Sequence, residues 1–468
     1  MRRRAPSENS GERRAVPAYG LRLKAYGFSR NDNRVTPEEP ALRRVIGVAG
    51  LAAAIFNITV GAAIFVLPAH VASSLGAAAP LAYLVCAVAT GLVALCFAEA
   101  GSRVPRSGGP YAYVGVALGP YIGFLCGVLL WLGVTLAMAA VGTVFADSLA
   151  ILFPALDGSA ARAVILALMF AALALVNVRG AALGSRLSGI STVAKLLPLI
   201  AFVVLGLPHI RAENLAFPAL PPLVTVGQTG LLLIFAFFGM ESALQVSGEV
   251  RNPSIAVPRA IAIALSGIVL LYVSVQLVAQ GVLGDALAAP ATAKAPLAAA
   301  AQLVAGTAGS RLILVGMIVS TFGFMTGMML STPRTLYALA ADGYLPPGLA
   351  AVHPEHRTPH VAIVVQGIVT ALIAVTGTYV RLALLADVAI LLVYLACSIG
   401  AWRLRRLNFG AESGPFLMPG GKVVPWLAAI LILGLLGRAN REAWLLTGGV
   451  VAVASLAFRF RRKAKSEG

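Results

Sequence analysis

The chain has 468 residues, 59% of them hydrophobic and only 12% charged, and a formal net charge of +18. Soluble domains carry about a quarter of their residues as charged side chains, so this composition, with a mean hydropathy of +0.89, excludes an ordinary water-soluble fold and predicts an all-α polytopic membrane protein. The basic excess would suit a nucleic-acid partner, but its placement along the chain argues against one.

Residues 1–43 are polar, basic and contain Pro, Ser and Asn, which predicts a disordered cytoplasmic tail. The first apolar run starts near Val45, too late for a secretory signal peptide and without its small-residue cleavage site. About twelve runs of about 20 apolar residues follow, each able to cross the ~30 Å hydrocarbon core. They centre near Ala54, Val88, Leu136, Ala167, Leu199, Phe235, Val269, Val319, Val369, Val393, Leu431 and Val450. The third and eighth are longest and imply tilt. With alternating passes and a cytoplasmic amino terminus, Arg2 to Arg44, Arg103, Arg106, Arg179, Arg186, Arg251, Arg259, Arg334, Arg357, Arg403 to Arg406, Lys422 and Arg459 to Lys465 fall inside. Only Arg162, Arg211, Lys294, Arg311, Arg381, Arg438 and Arg441 fall outside. This is the positive-inside pattern of a cytoplasmic membrane protein with both termini cytoplasmic. Anionic lipid is a secondary partner for the basic end at 459–468.

The first run breaks at Gly61-Ala62-Ala63. A break at mid-membrane is tolerated only where protein or water satisfies the freed backbone groups. The half-helix from Ile64 onward turns its positive dipole end into the break, a ready site for a carboxylate. Further on, Gly115, Gly119, Gly123 and Gly127 recur every four residues and read as one smooth packing stripe on a helix. Cys86, Cys96, Cys126 and Cys397 all lie in apolar runs and read as small packing residues, with no disulfide or metal set among them. Lys195 is the one lysine or arginine deep inside a run. It either serves as a fixed or protonatable charge, where a bound sodium would otherwise sit, or snorkels to the interface.

The sixth run breaks at Gly239 and carries Glu241 just beyond. A carboxylate at that depth faces a cavity as a proton-linked group, or caps the broken helix. Phe235 and Phe238 could cover a bound side chain, with ordinary packing as the alternative. Asp147 and Asp387 lie nearer the ends of their runs, so both are expected at the interface. Two interrupted spans at matching places are a sequence pointer to a secondary transporter's binding site. Residues 44–208 and 223–407 lay over each other as inverted halves of five spans, and 408–458 holds two peripheral helices. Together the breaks offer carbonyls for an ammonium and amides for a carboxylate.

At this point the residues resemble a family. "VGAAIFVLP", "GGPYAYVGVALGPYIGFLCG", "FAFFGMESALQVSGEVRNPSIAVPRAI" and "RTLYALAADGYLPPGLAAVHPEHRTPHVAI" occur in the order of the motifs of the amino acid–polyamine–organocation (APC) superfamily. The resemblance implies a leucine-transporter-like 5+5 inverted repeat with two extra C-terminal helices. It implies a substrate ammonium on carbonyls near Thr59, Phe235 and Phe238, a carboxylate on the amides of Ala62 and Ala63, and a gate at Phe235. By the same resemblance Gly61, Ile64 and Gly239 belong to the site, Met328 helps line it, Glu241 is linked to proton sensing, and Lys195 replaces a sodium ion. Ala62 and Ala63 depart from the usual serine and glycine, which shrinks the space beside the donors.

The expected activity is therefore alternating-access transport of amino acids or related amines, proton-coupled and sodium-independent. Exchange without net ion coupling, or polyamine transport, is the alternative. No Gly-x-Ser-x-Gly, His-Glu-x-x-His or P-loop pattern supports an enzyme. No cofactor or metal is expected, and the sequence leaves the oligomeric state open.

Overall fold

The structure is a computed structural model that describes residues 46–104, 109–216, 219–243, 250–410 and 414–467, with the side chains of 181–193, 242–243 and 460–467 left aside. The disorder expected for residues 1–43 lies outside this range. All regular structure among the described residues is helical. In chain order the helices are α1 (Val48–Thr59), α2 (Ala63–Leu75), α3 (Ala79–Arg103), α4 (Pro110–Leu118), α5 (Pro120–Leu152), α6 (Ser159–Arg179), α7 (Ala181–Gly206) and α8 (Leu223–Ile234). They continue as α9 (Met240–Ala243), α10 (Pro253–Leu283), α11 (Pro296–Ala341), α12 (His360–Thr376), α13 (Tyr379–Arg406), α14 (Val424–Leu436) and α15 (Arg441–Glu467). Proline opens the first turn of α3, α4, α5, α10, α11 and α14, where its missing N–H is not needed and its fixed φ suits the helix.

Seven helical stretches are long and apolar enough to cross a membrane, and five more apolar helices span 10–17 residues. The outward faces are themselves apolar: Val88, Leu168, Leu270, Leu372 and Val453 are exposed. Such surface is costly in water and natural against acyl chains. The chain is a multi-pass membrane protein.

Inside, α11 packs on α7 and α5, α13 on α5, and α10 on α1 and α3. Polar side chains join helices across the core. The Trp131 indole donates to Gln366 Oε1 at 2.6 Å, and the Gln366 amide reaches the Thr135 and Thr370 hydroxyls at 3.1 and 2.9 Å. In an apolar surround these amide and hydroxyl groups satisfy one another and fix α5 against α12. At one end of the bundle Glu99 of α3 holds Arg103 at 2.9 Å, Arg405 at 3.3 Å and the Met418 N–H at 3.1 Å. At the other, Arg162 faces Asp147 at 3.8 Å and Arg381 meets Glu442 at 2.5 Å. The two ends thus carry the two groups of basic residues that the charge pattern separates.

Three expectations change. The glycine series at 115–127 does not lie on one helix. Gly119 has φ +104° and separates α4 from α5, so α4 folds back and Gly127 meets Tyr111 and Leu339. The eighth run is long because α11 contains an interruption at Ala305–Gly306, which divides a leading segment from the long helix behind it. Asp387 is fully buried in α13, not at an interface, because α13 begins as early as Tyr379.

The two interruptions touch. One is Val60–Ala62, between α1 and α2. The other is Phe235–Gly239, between α8 and α9. Gly239 has φ +126°, and a Cβ there would lie 3.0 Å from the Ile58 carbonyl carbon and from the Thr59 nitrogen. An isolated parallel bridge from Ile46 to Val250 ties the chain entering the first break to the chain leaving the second. Gly239→Ala therefore forces both a φ that side chains avoid and a backbone clash. The expected result is strain of about 1–3 kcal/mol, read as a lower Tm. Adding Ile58→Ala should restore only part of it, since the Thr59 backbone contact stays.

Candidate functional site

The first break frees carbonyl groups, and each is met by a side chain from another helix. The Lys195 ammonium of α7, fully buried, donates to the Asn57 carbonyl and, at 2.6 Å, to the Val60 carbonyl. Ser320 of α11 donates to Gly61 at 3.2 Å. The Tyr272 hydroxyl of α10 lies 3.0 Å from the Thr59 carbonyl and 2.9 Å from that of Ala236, so its one proton serves both breaks. Lys195 does not snorkel: its nitrogen sits at the negative end of α1, where a cation is favoured. Lysine at a helix centre costs about 2.5–3.5 kcal/mol. Two hydrogen bonds from a charged donor, each about 1.5–3 kcal/mol, offset that cost.

The amides tell the opposite story. The Gly61 N–H turns back to the Thr59 carbonyl at 2.9 Å. Those of Ala62 and Ala63, at the start of α2, have no acceptor among the described residues. They are the open donors of the first break.

In the second break Phe235–Phe237 form a tight 3-10 turn, Phe238 is extended, and α9 restarts at Met240. Glu241 folds back so that both carboxylate oxygens lie 3.1 Å from the Gly239 N–H. Tyr394 of α13 donates to its Oε2 at 2.7 Å. The capping alternative is thus realised, and Glu241 is also among the residues that line the cavity between the breaks. Phe238 packs edge-on against Tyr394 at 5.4 Å, and Phe235 edge-on against Tyr379 at 5.8 Å.

That cavity is narrow and lined mostly by apolar side chains. Thr59, Gly61, Ala62 and Ala63 line it from the first break, and Phe235, Phe238, Gly239 and Glu241 from the second; Met328 of α11 joins them. Ile64 is buried away from the wall, and Lys195 sits behind it. The fourth wall, unforeseen, is α5 with Gly133, Ala137 and Val141, completed by Phe324 and Ile390. Gly133 and Ala137 are small residues four apart but out of register with the glycine series, so that series did not point to them. Gly133 has no room for more, since a Cβ would meet Ile390 at 2.6 Å. The hydroxyls of Tyr272, Ser320 and Tyr394 were also missed, although a polar group inside an apolar run is the mark to look for.

Among the described residues no group of three or more His, Cys, Asp or Glu side chains could hold a metal ion. The cysteines are free and buried. What the site offers is a small apolar chamber with open amides on one side and a carboxylate on the other.

The family profile described as amino acid permease matches residues 46–440. The chain is 28% identical to a methylthioribose transporter of Bacillus subtilis (strain 168) over 444 residues, 90% of this chain and 94% of that one. It is 28% identical to the serine/threonine exchanger SteT of the same organism over 408 residues, 85% and 90% of the two chains. It is 27% identical to the branched-chain amino acid permease BcaP of that organism over 450 residues, 89% and 94%. A match across most of the chain places it plainly: the protein belongs to the amino acid permease family of the APC superfamily.

Proposed function

We propose that the protein is a secondary transporter of small neutral amino acids across the cytoplasmic membrane, working by alternating access and coupled to protons rather than sodium. The observation that carries this reading is the pair of touching helix breaks around one apolar chamber, with the open Ala62 and Ala63 amides facing it. In the proposed topology α1–α2 and α8–α9 each count as one span. The chain then crosses twelve times, as two inverted sets of five and a C-terminal pair, with both termini cytoplasmic.

In the proposed binding mode the substrate carboxylate accepts from the Ala62 and Ala63 amides at the positive end of α2. The ammonium lies toward Glu241 and the carbonyl side of the second break. The side chain meets Phe235, Phe238, Phe324 and Met328, which suits an apolar or small neutral residue. Lys195 supplies the fixed positive charge that holds α1 to α7, so no sodium is needed there. The relatives that act on serine, threonine and branched-chain amino acids support this class.

A second reading draws support from the methylthioribose transporter. Methylthioribose has neither ammonium nor carboxylate. A chamber lined by Met328 and three phenylalanines, with alanine methyls beside its donors, also suits a thioether-bearing neutral solute.

Counterflow in proteoliposomes separates the readings. Labelled serine or leucine should exchange and methylthioribose should not; no exchange across a panel of amino acids and amines contradicts the proposal. Uptake should follow the pH gradient and ignore sodium, and strict sodium dependence at fixed pH contradicts it. Lys195→Ala strands the Asn57 and Val60 carbonyls, at about 1–3 kcal/mol for each buried group left unmade. It should lower Tm and reduce uptake by about tenfold or more, with no rescue by sodium. Glu241→Gln keeps an oxygen for the Gly239 N–H and should flatten the pH profile of uptake with little change in Tm.

A further inference from the structure

A second carboxyl lies inside the bundle, away from the chamber wall. Asp387 of α13 is fully buried, and neither of its oxygens has a hydrogen-bond partner among the described residues. The groups around it share this condition. Among the described residues the hydroxyls of Tyr379, on the same face of α13, and of Tyr83 on α3 are buried and unpartnered, and so are both ends of the Gln276 amide on α10. The aspartate and the tyrosines, though not Gln276, are joined by electrostatic interactions. Asp387 interacts with Cys86, Tyr379 and Tyr394, and Tyr379 interacts in turn with Tyr83 and Tyr272.

Buried polar groups are nearly always satisfied, so a cluster of orphans needs an explanation in function. Packing does not supply one, because an apolar side chain of similar size would fill the same place without the penalty. Nor does a counter-ion. Toward Asp387, α3 brings Cys86; Tyr83 of α3 and Tyr272 of α10 reach it only through Tyr379. The helices α8 and α14 and the turn Phe235–Phe237 carry no titratable side chain. On α3, α4, α5 and α15 the other charged or titratable groups are engaged elsewhere or exposed: Cys96 with Ser398, Glu99 with Arg103 and Arg405, Tyr111 with Asp342, Tyr121 with Ser455, Cys126 with Cys397, Asp147 with Arg162 and Glu442 with Arg381, while Arg441 and Arg459 are exposed. Among the described residues no lysine or arginine interacts with Asp387.

The position on α13 shows what such a group could move. At about 100° per residue, Tyr379, Asp387, Ile390 and Tyr394 fall within about 80° of one another on one helix face. Tyr379 packs against Phe235, Ile390 lines the chamber, and Tyr394 holds Glu241 and Phe238. A change of charge at Asp387 acts on the helix that supports both ends of the second break.

We propose that Asp387, with the Tyr83 and Tyr379 hydroxyls, is a second proton-binding site, distinct from Lys195 and Glu241, whose loading is coupled to movement of the second break. On loading, hydronium gives its proton to a carboxylate oxygen, an O–H bond forms there, and water leaves; release on the other side reverses the step. The unpartnered tyrosine hydroxyls donate to the carboxylate when the proton has gone.

This inference rests on the proton-coupled reading above, so its test has one readout that needs no substrate. Infrared difference spectra of the purified full-length protein, taken across a pH step, should show the carbonyl stretch of a protonated carboxyl that vanishes in Asp387→Asn. Glu241 gives a band of its own, which Glu241→Gln removes; a spectrum of Asp387→Asn that matches the wild type, or no titrating band in Glu241→Gln, overturns the assignment whatever the substrate proves to be. In proteoliposomes, the ratio of pH-driven uptake to counterflow of labelled serine or leucine should drop roughly tenfold or more in Asp387→Asn, the usual size of a coupling effect, and Asp387→Glu should restore part of it. An unchanged ratio overturns the proposal. So does a wild-type requirement for sodium that Asp387→Asn abolishes, which would make the site a metal-cation site. If Asp387→Asn fails to fold, the Asp387→Glu protein carries the test: its uptake-versus-pH profile must shift, and a profile identical to wild type overturns the proposal.

Discussion

A helix interrupted inside a bilayer leaves backbone groups that water cannot reach, and each one left unmade costs about 2–7 kcal/mol. The rest of this structure is arranged around that constraint. The carbonyl side of the first break is met by Lys195, Tyr272 and Ser320, brought from three different helices. The second break is closed by its own Glu241 and steadied by Tyr394. Tyr272 reaches a carbonyl in each break, so neither can shift without disturbing the other. Among the described residues the amides of Ala62 and Ala63 stay unmet, in the stretch that lines the chamber. The protein thus satisfies the carbonyls itself and leaves the donors to whatever enters.

This asymmetry accounts for the roles proposed for the ionisable groups. Lys195 is a structural cation first: it seals the end of α1 and stands behind the chamber wall. Glu241 caps α9 through Gly239 and is also one of the residues that line the chamber. Any step that alters its charge also alters the cap and the Tyr394 contact. Tyr394 carries the change to Phe238, which packs on its ring. The coupling proposed between proton and substrate would need no long pathway, because the Glu241 cap, Phe238 and the chamber lining are neighbours.

Much of this could be read from residues because the constraint is chemical. A glycine and a carboxylate in the middle of an apolar run, or a lone lysine, violate what a lipid-facing helix tolerates. Gly61, Gly239, Glu241 and Lys195 stood out for that reason, and the breaks fell where they indicated. Harder to read were features whose meaning depends on a distant partner. Gly133 is an ordinary membrane-helix glycine until Ile390 is seen above it. Tyr272 and Ser320 are unremarkable until a freed carbonyl lies opposite. Asp387 misled because run boundaries in hydropathy are soft, and α13 starts far enough back to bury it. The glycine series at 115–127 misled because spacing alone does not reveal that Gly119 adopts a positive φ and ends a helix.

The central claim is that the Ala62 and Ala63 amides hold a substrate carboxylate in spite of the methyl groups beside them. Thermal unfolding of the purified protein with leucine, leucinamide and isopentylamine tests it directly, since a ligand that binds only the folded state raises Tm. Leucine should raise Tm while its amide and its decarboxylated amine leave it unchanged. Equal stabilisation by the amine, or by methylthioribose in place of leucine, would contradict the claim.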